Sequence, residues 1–152
     1  NPVVSLIFWF KKIISLMDLV AYVLFQIIGA IFGCLAANII FGLPVITIST
    51  HVRHDLSQFL SEILATFGLV LVIFLAREVT RHNIPILVGS YIASAYWFSS
   101  STSFANPAVT IARQFSDTFT GISPSGIPSF GVAQIFGAIL GYIVVQWLSR
   151  DM

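Results

Sequence analysis

The stretch SFANPAVTIAR, residues 103–113, is polar and carries a proline, yet it lies between two strongly apolar segments. A second Asn-Pro pair opens the chain in NPVVSLIFWF, residues 1–10. Pro is favoured at the first helical position and Asn is a preferred N-cap, so each pair marks a helix start. Each helix then runs for roughly ten residues, over 1–10 and 106–116, which at 1.5 Å per residue is about half the hydrocarbon thickness of a bilayer. One such pair is equally compatible with a capped helix start in an interfacial loop. Two of them in matching sequence surroundings predict a pair of half-helices whose N-termini lie near mid-membrane.

The bilayer itself is read from composition. The chain has 152 residues, of which 57% are hydrophobic and only 9% charged; a soluble domain carries about 25% charged residues. So few charges cannot cover a water-facing surface, which predicts a membrane protein. Net charge is +1 and only Lys11 and Lys12 form an adjacent basic pair, so no nucleic-acid partner is expected. One cysteine, Cys34, excludes an internal disulfide framework and reads as a small packing residue. No His, Cys or carboxylate cluster has metal-ligand spacing, and no nucleophile–base pair is apparent; no metal, cofactor or catalytic residue is expected.

Four apolar segments are long enough, or nearly so, to cross a bilayer: 17–41, 58–76, a shorter one at 84–100, and 130–148. FQIIGAIFG at 25–33 matches AQIFGAILG at 133–141, an offset of 108, against an offset of 105 between Asn1 and Asn106. The unit of half-helix followed by glutamine-bearing span therefore occurs twice. Three spans separate the half-helices, so the repeats are inverted, a design of channels and transporters. Span parity places Lys11, Lys12, Arg77, Arg81 and Arg150 on one side and Arg53 and Arg113 on the other. The cation excess makes the first side cytoplasmic, with the C-terminus, and brings the second half-helix in from the outer face.

Two half-helices meeting N-terminus to N-terminus focus two positive dipole ends at one depth. Each Asn would cap its helix and offer an amide N–H to a passing oxygen, while cations meet a positive potential and a dehydration cost. That selects small neutral solutes. The chain resembles the aquaporin and glycerol-facilitator family in its paired boxes Asn1-Pro2-Val3 and Asn106-Pro107-Ala108, its repeated Gln-x-x-Gly-Ala-x-x-Gly, and Glu62 within SEILATFGLVLV. The resemblance implies an all-α membrane fold, an aquaporin-like inverted repeat with two re-entrant half-helices, of which the first two of six transmembrane helices are missing here. The chain is then a partial channel domain over 1–152, with a first-repeat remnant at 1–41 and a second repeat at 58–148. The resemblance also implies a homotetramer in the plasma membrane, with membrane lipid and small neutral solutes as partners.

It further implies that Glu62 supports the re-entrant loop SSSTSFA, with Gln26 and Gln134 helping; a carboxylate near the membrane interface is the alternative. A carboxylate in an apolar span is costly and usually faces the protein interior. Gly29, Gly33, Gly137 and Gly141 permit close helix approach. Trp9, Trp97 and Trp147 lie near element ends, as interface-anchoring rings do, and His51, His54 and His82 fall in loops.

The departures matter as much. Ordinary family members place Arg directly after the second box, where it forms the outer constriction; here that position is Val109. Without the guanidinium the filter is expected to be wider, less positive and more apolar. Family spacing puts Ser103 and Ser94 at two other filter positions. Arg113, one turn farther out, either reaches back toward the filter or stands in the outer vestibule, drawing anions or pairing with Asp117. Val at this place resembles a bacterial, arsenic-resistance-linked type, which implies passage of trihydroxy metalloids such as arsenite beside water and glycerol-like polyols. Val3 in place of Ala adds methyls that would narrow the midplane. A secondary transporter with a broken-helix ion site is the rival reading, with Glu62 as its one clear carboxylate.

Overall fold

The computed structural model describes residues 1–150, and among them the regular structure is entirely helical. Six α-helices follow in order: α1 (Pro2–Phe10), α2 (Leu16–Ile40), α3 (Leu56–Val79), α4 (Ile84–Phe98), α5 (Pro107–Ala112) and α6 (Ile127–Leu148). Short 3-10 turns at Arg81–Asn83, Arg113–Phe115 and Pro124–Gly126 lead into or out of them. Among the described residues three helices are long and apolar enough to cross a membrane: Leu16–Ile40, Leu56–Val79, and α6 with its leading turn, Pro124–Leu148. Helix α4, with 15 residues, is the short apolar one.

Local signals set the ends. Helix α2 starts in a capping box, with Ser15 Oγ accepting from Asp18 N at 3.1 Å and Asp18 Oδ2 from Ser15 N at 3.0 Å. It stops where Gly42 takes φ +68°, Gly42 N reaching Ile39 O and Leu43 N reaching Asn38 O. That is a Schellman motif, and the left-handed residue costs least when it is glycine. Helix α1 ends by the same device, with Lys12 N on Trp9 O, Ile13 N on Phe8 O, and Lys12 itself at φ +55°. The second half-helix is shorter than the expected run over 106–116. It is α-helical only to Ala112, then tightens into the 3-10 turn at Arg113–Phe115. The Phe115 carbonyl there is taken by Asn38 Nδ2 and Thr47 N, which draws the chain off the helix axis.

The chain divides into two compact units. The first comprises Asn1–His54 and Asn106–Gly131; the second comprises Asp55–Ala105 and the chain from Val132 onward. In the first, α1 and α5 adjoin each other and both pack on α2. Helix α2 buries only Leu19 and Asn38, and its exposed surface carries Phe25, Phe32 and Ile40. A helix apolar all round suits lipid or further protein rather than water.

In the second unit α3 packs against α4 and α6. Ala65, Thr66, Leu69, Val70 and Phe74 of α3 are buried, as are Ala133, Gln134, Ala138 and Val145 of α6. The backbones come close because Gly137 has no side chain: a Cβ there would stand 2.3 Å from Ile63 O. Tyr91 of α4 donates its hydroxyl to Ala65 O at 2.8 Å, which ties α4 to the middle of α3.

Candidate functional site

In the first unit both Asn-Pro boxes head helices that touch. Asn106 is extended (φ −160°, ψ 110°), and its Oδ1 accepts from Ala108 N at 3.0 Å and Val109 N at 3.4 Å. With the oxygen turned to the helix, the amide N–H groups point away from it. Asn1 occupies the N-cap position of α1 and its carbonyl accepts from Ser5 N, but its side chain makes no bond to the first turn. The third residue of each box, Val3 and Ala108, is buried. The Gln26 amide donates to Ser5 Oγ at 3.0 Å, so it braces α2 against the first half-helix. Within the first unit, the serine one turn into α1 is the partner its side chain reaches.

Val109 and Arg113 line one side of a cavity of about 320 Å³, and Cys34 and Asn38 of α2 line another, with Ser116 and Thr120. Cys34 thus borders a cavity instead of packing in a core. Arg113 shares the cavity with Val109, and Asp117 is engaged elsewhere. Asp117 Oδ1 accepts from Thr50 N at 2.8 Å and from Thr50 Oγ1 at 3.1 Å, with Ser49 Oγ at 3.5 Å.

Those bonds belong to a strap that the sequence did not announce. The segment between α2 and α3 runs alongside residues 114–123, with Thr47 N on Phe115 O, Ser49 N on Gln114 O, and Ser123 N on His51 O. Arg53 is buried, and its Nε and Nη2 donate to Gly121 O at 2.7 Å and Phe119 O at 2.6 Å. Asn38 Nδ2 joins Val45 O to Phe115 O, 3.0 Å each. An arginine flanked by Val52 in a loop was the one available signal for such a clamp; only the fold shows which carbonyls it meets.

The Thr50 N–H is the main reason the Asp117 carboxyl is held below the usual aspartate range; the Thr50 and Ser49 hydroxyls and nearby His51 act the same way, with desolvation opposing. A depressed folded-state pKa gives a contribution that is present above the unfolded value of about 3.9 and lost as pH falls through the folded one. Protection of the Thr50 amide from hydrogen exchange, relative to its intrinsic rate at each pH, should therefore hold above about pH 4 and fall below it. Asp117→Asn should remove that acid dependence, and an unchanged acid limb in this variant would show that another group sets it.

In the second unit the centre is Glu62, fully buried on α3. Its Oε1 accepts from Ser101 Oγ at 2.7 Å and Phe104 N at 2.8 Å. Its Oε2 accepts from Ala105 N at 2.9 Å and Gln134 Nε2 at 2.7 Å. Four donors occupy the two oxygens, which is what a buried carboxylate requires. The loop it holds is strained: Thr102, Ser103 and Ala105 have φ of +62°, +48° and +45°. Left-handed conformations of this kind cost on the order of 1 kcal/mol each and persist only when surroundings impose them. The N–H groups of Phe104 and Ala105 face Glu62, and Ser103 N is taken by Ser101 Oγ. The Thr102 and Ser103 hydroxyls are buried without a hydrogen-bond partner among the described residues. Ser94, on α4, is exposed and donates its hydroxyl to Ser90 O one turn back.

The Major intrinsic protein family model matches residues 1–103. Over 148 residues the chain is 45% identical to Aquaglyceroporin AqpS of Rhizobium meliloti (strain 1021), covering 97% of this chain and 64% of that protein. The chain thus spans less than two thirds of its relative's length. No solved structure gives a significant match. A helical fold with membrane-length apolar helices, a family match over more than half its residues and a relative aligned along nearly all of it agree: the chain belongs to the major intrinsic protein family.

Proposed function

We propose that the protein of which this chain forms part is a passive membrane channel for small neutral solutes: water, glycerol-like polyols and trihydroxy metalloids such as arsenite. The observation that carries the reading is the Asn106 cap. Its oxygen is spent on the helix, so its N–H groups are left to donate to a solute oxygen in a field that repels cations. In this reading Asn1-Pro2-Val3 and Asn106-Pro107-Ala108 are the pore boxes. Val109, Ser103 and Ser94 contribute to the filter, Arg113 stands in the outer vestibule, and Glu62 with Gln134 supports one re-entrant loop while Gln26 supports the other half-helix. The unpartnered Ser103 hydroxyl favours its place in the solute path. Val109 in place of a cation favours solutes bulkier than water, and the likeness to an aquaglyceroporin points the same way. A homotetramer in the plasma membrane with a cytoplasmic C-terminus completes the proposal.

The state of Glu62 argues against an ion-coupled transporter. A coupling carboxylate must exchange its proton or ion, whereas both Glu62 oxygens are saturated by structural donors. The test is stopped-flow uptake of glycerol and arsenite by proteoliposomes containing the natural protein, with and without proton and sodium gradients. Uptake should follow the solute gradient alone. Dependence on an ion gradient would establish the transporter instead.

A further inference from the structure

The segment 115–121, reading FSDTFTG, alternates in what it does. Its odd members are tied to the strap and to α2: Phe115 O to Asn38 and Thr47, the Asp117 carboxylate to Thr50, and Phe119 O and Gly121 O to Arg53. Its even members, Ser116, Thr118 and Thr120, carry hydroxyls joined in a row, each step 3.3 Å. Ser116 and Thr120 line the cavity that holds Val109 and Arg113, and all three line a neighbouring cavity of about 420 Å³. The clamps on one side thus hold a rail of hydroxyls open to cavities on the other.

We infer that Ser116, Thr118 and Thr120 form a binding rail for neutral polyhydroxy solutes on the approach to Val109. This rests on the channel reading above and adds a selector that reads hydroxyl number. A hydroxyl has one donor and two acceptor lone pairs. The two bonds within the row use two of its three donors and leave acceptor lone pairs in excess. Such a rail is satisfied by a solute that brings several O–H donors. Arg113 supplies donors at the Val109 end for the oxygens of the same solute. Inorganic phosphate also carries O–H donors, but unlike a polyol it brings net negative charge, which meets the Asp117 carboxylate on the same segment and the C-terminal end of α5. Small apolar neighbours, Ala37 and Ala112, complete a wall suited to the carbon side of a polyol.

In proteoliposomes of the natural protein, the half-saturation concentration should rise from glycerol to propane-1,2-diol to propan-1-ol, and inorganic phosphate should not compete. Thr118→Val with Thr120→Val should raise the glycerol value about fivefold, the loss expected of one or two hydrogen bonds, while water and urea rates hold. Thr118→Ser with Thr120→Ser should restore it. If the natural protein passes neutral solutes without ranking them by hydroxyl number, or if glycerol, urea and water fall together in the valine pair, the rail is packing and the inference is overturned. If the natural protein passes no neutral solute at all, the channel reading falls and the rail with it.

Discussion

Glu62→Gln should cost on the order of 3 kcal/mol of stability and abolish most solute flux. The glutamine amide is nearly the same size, so packing is preserved and the change isolates hydrogen bonding. Its nitrogen must replace one carboxylate oxygen, and each oxygen accepts from two donors. Either Ser101 and Phe104 or Ala105 and Gln134 then meet a donor where an acceptor was. Buried donors without a partner cost about 1–3 kcal/mol each. The loss falls on a loop already strained at Thr102, Ser103 and Ala105, which should relax toward ordinary backbone and carry the Ser103 hydroxyl out of position. Thermal unfolding in detergent micelles and glycerol flux should fall together. Glu62→Asp keeps the charge but shortens the reach, and should lie between the two. A Glu62→Gln protein with wild-type melting and wild-type flux would falsify the role assigned to this residue.

Val109→Arg should reduce glycerol and arsenite flux by on the order of tenfold or more while leaving water flux largely intact. The side chain would enter the cavity of about 320 Å³ that Arg113 already borders, one turn farther along. Bulk narrows the path for a polyol more than for water. The second cation stands four residues from the first, where like charges on a helix repel, and the added positive potential strengthens rejection of cations. Val109→Ala should move flux the other way, toward larger neutral solutes. Paired measurements of arsenite, glycerol and water on the same vesicles decide it. Equal glycerol and arsenite flux in Val109→Arg and the natural protein would remove Val109 from the filter.

Much of the fold is legible in the sequence because the deciding signals are local. Asn106-Pro107 starts a helix since capping is settled within one turn; Ser15 and Asp18 do the same for α2, and Gly42 ends it. Apolar length marks the crossing helices, and the matched segments around Gln26 and Gln134 reveal the repeat. Local rules stop short where a distant partner intervenes. The run from Asn106 was expected to stay helical to about 116, but Asn38, 77 residues from Phe115, takes that carbonyl and the helix tightens early. Gln26 and Gln134 occupy matching places in their repeats, yet one meets Ser5 and the other Glu62. Repeat symmetry is a property of sequence, whereas a hydrogen-bond partner depends on what stands across the gap.

By itself, the sequence determined the apolar membrane-length helices, the repeated Gln-x-x-Gly-Ala-x-x-Gly segments and the absence of a cation after the second Asn-Pro box. Tertiary structure alone decided which donors saturate Glu62, which carbonyls Arg53 clamps, and which side of FSDTFTG faces a cavity. The physical reason is the same in each case. Burying a polar group demands a partner, and the partners lie 39 to 77 positions away, beyond the reach of any periodicity or capping rule.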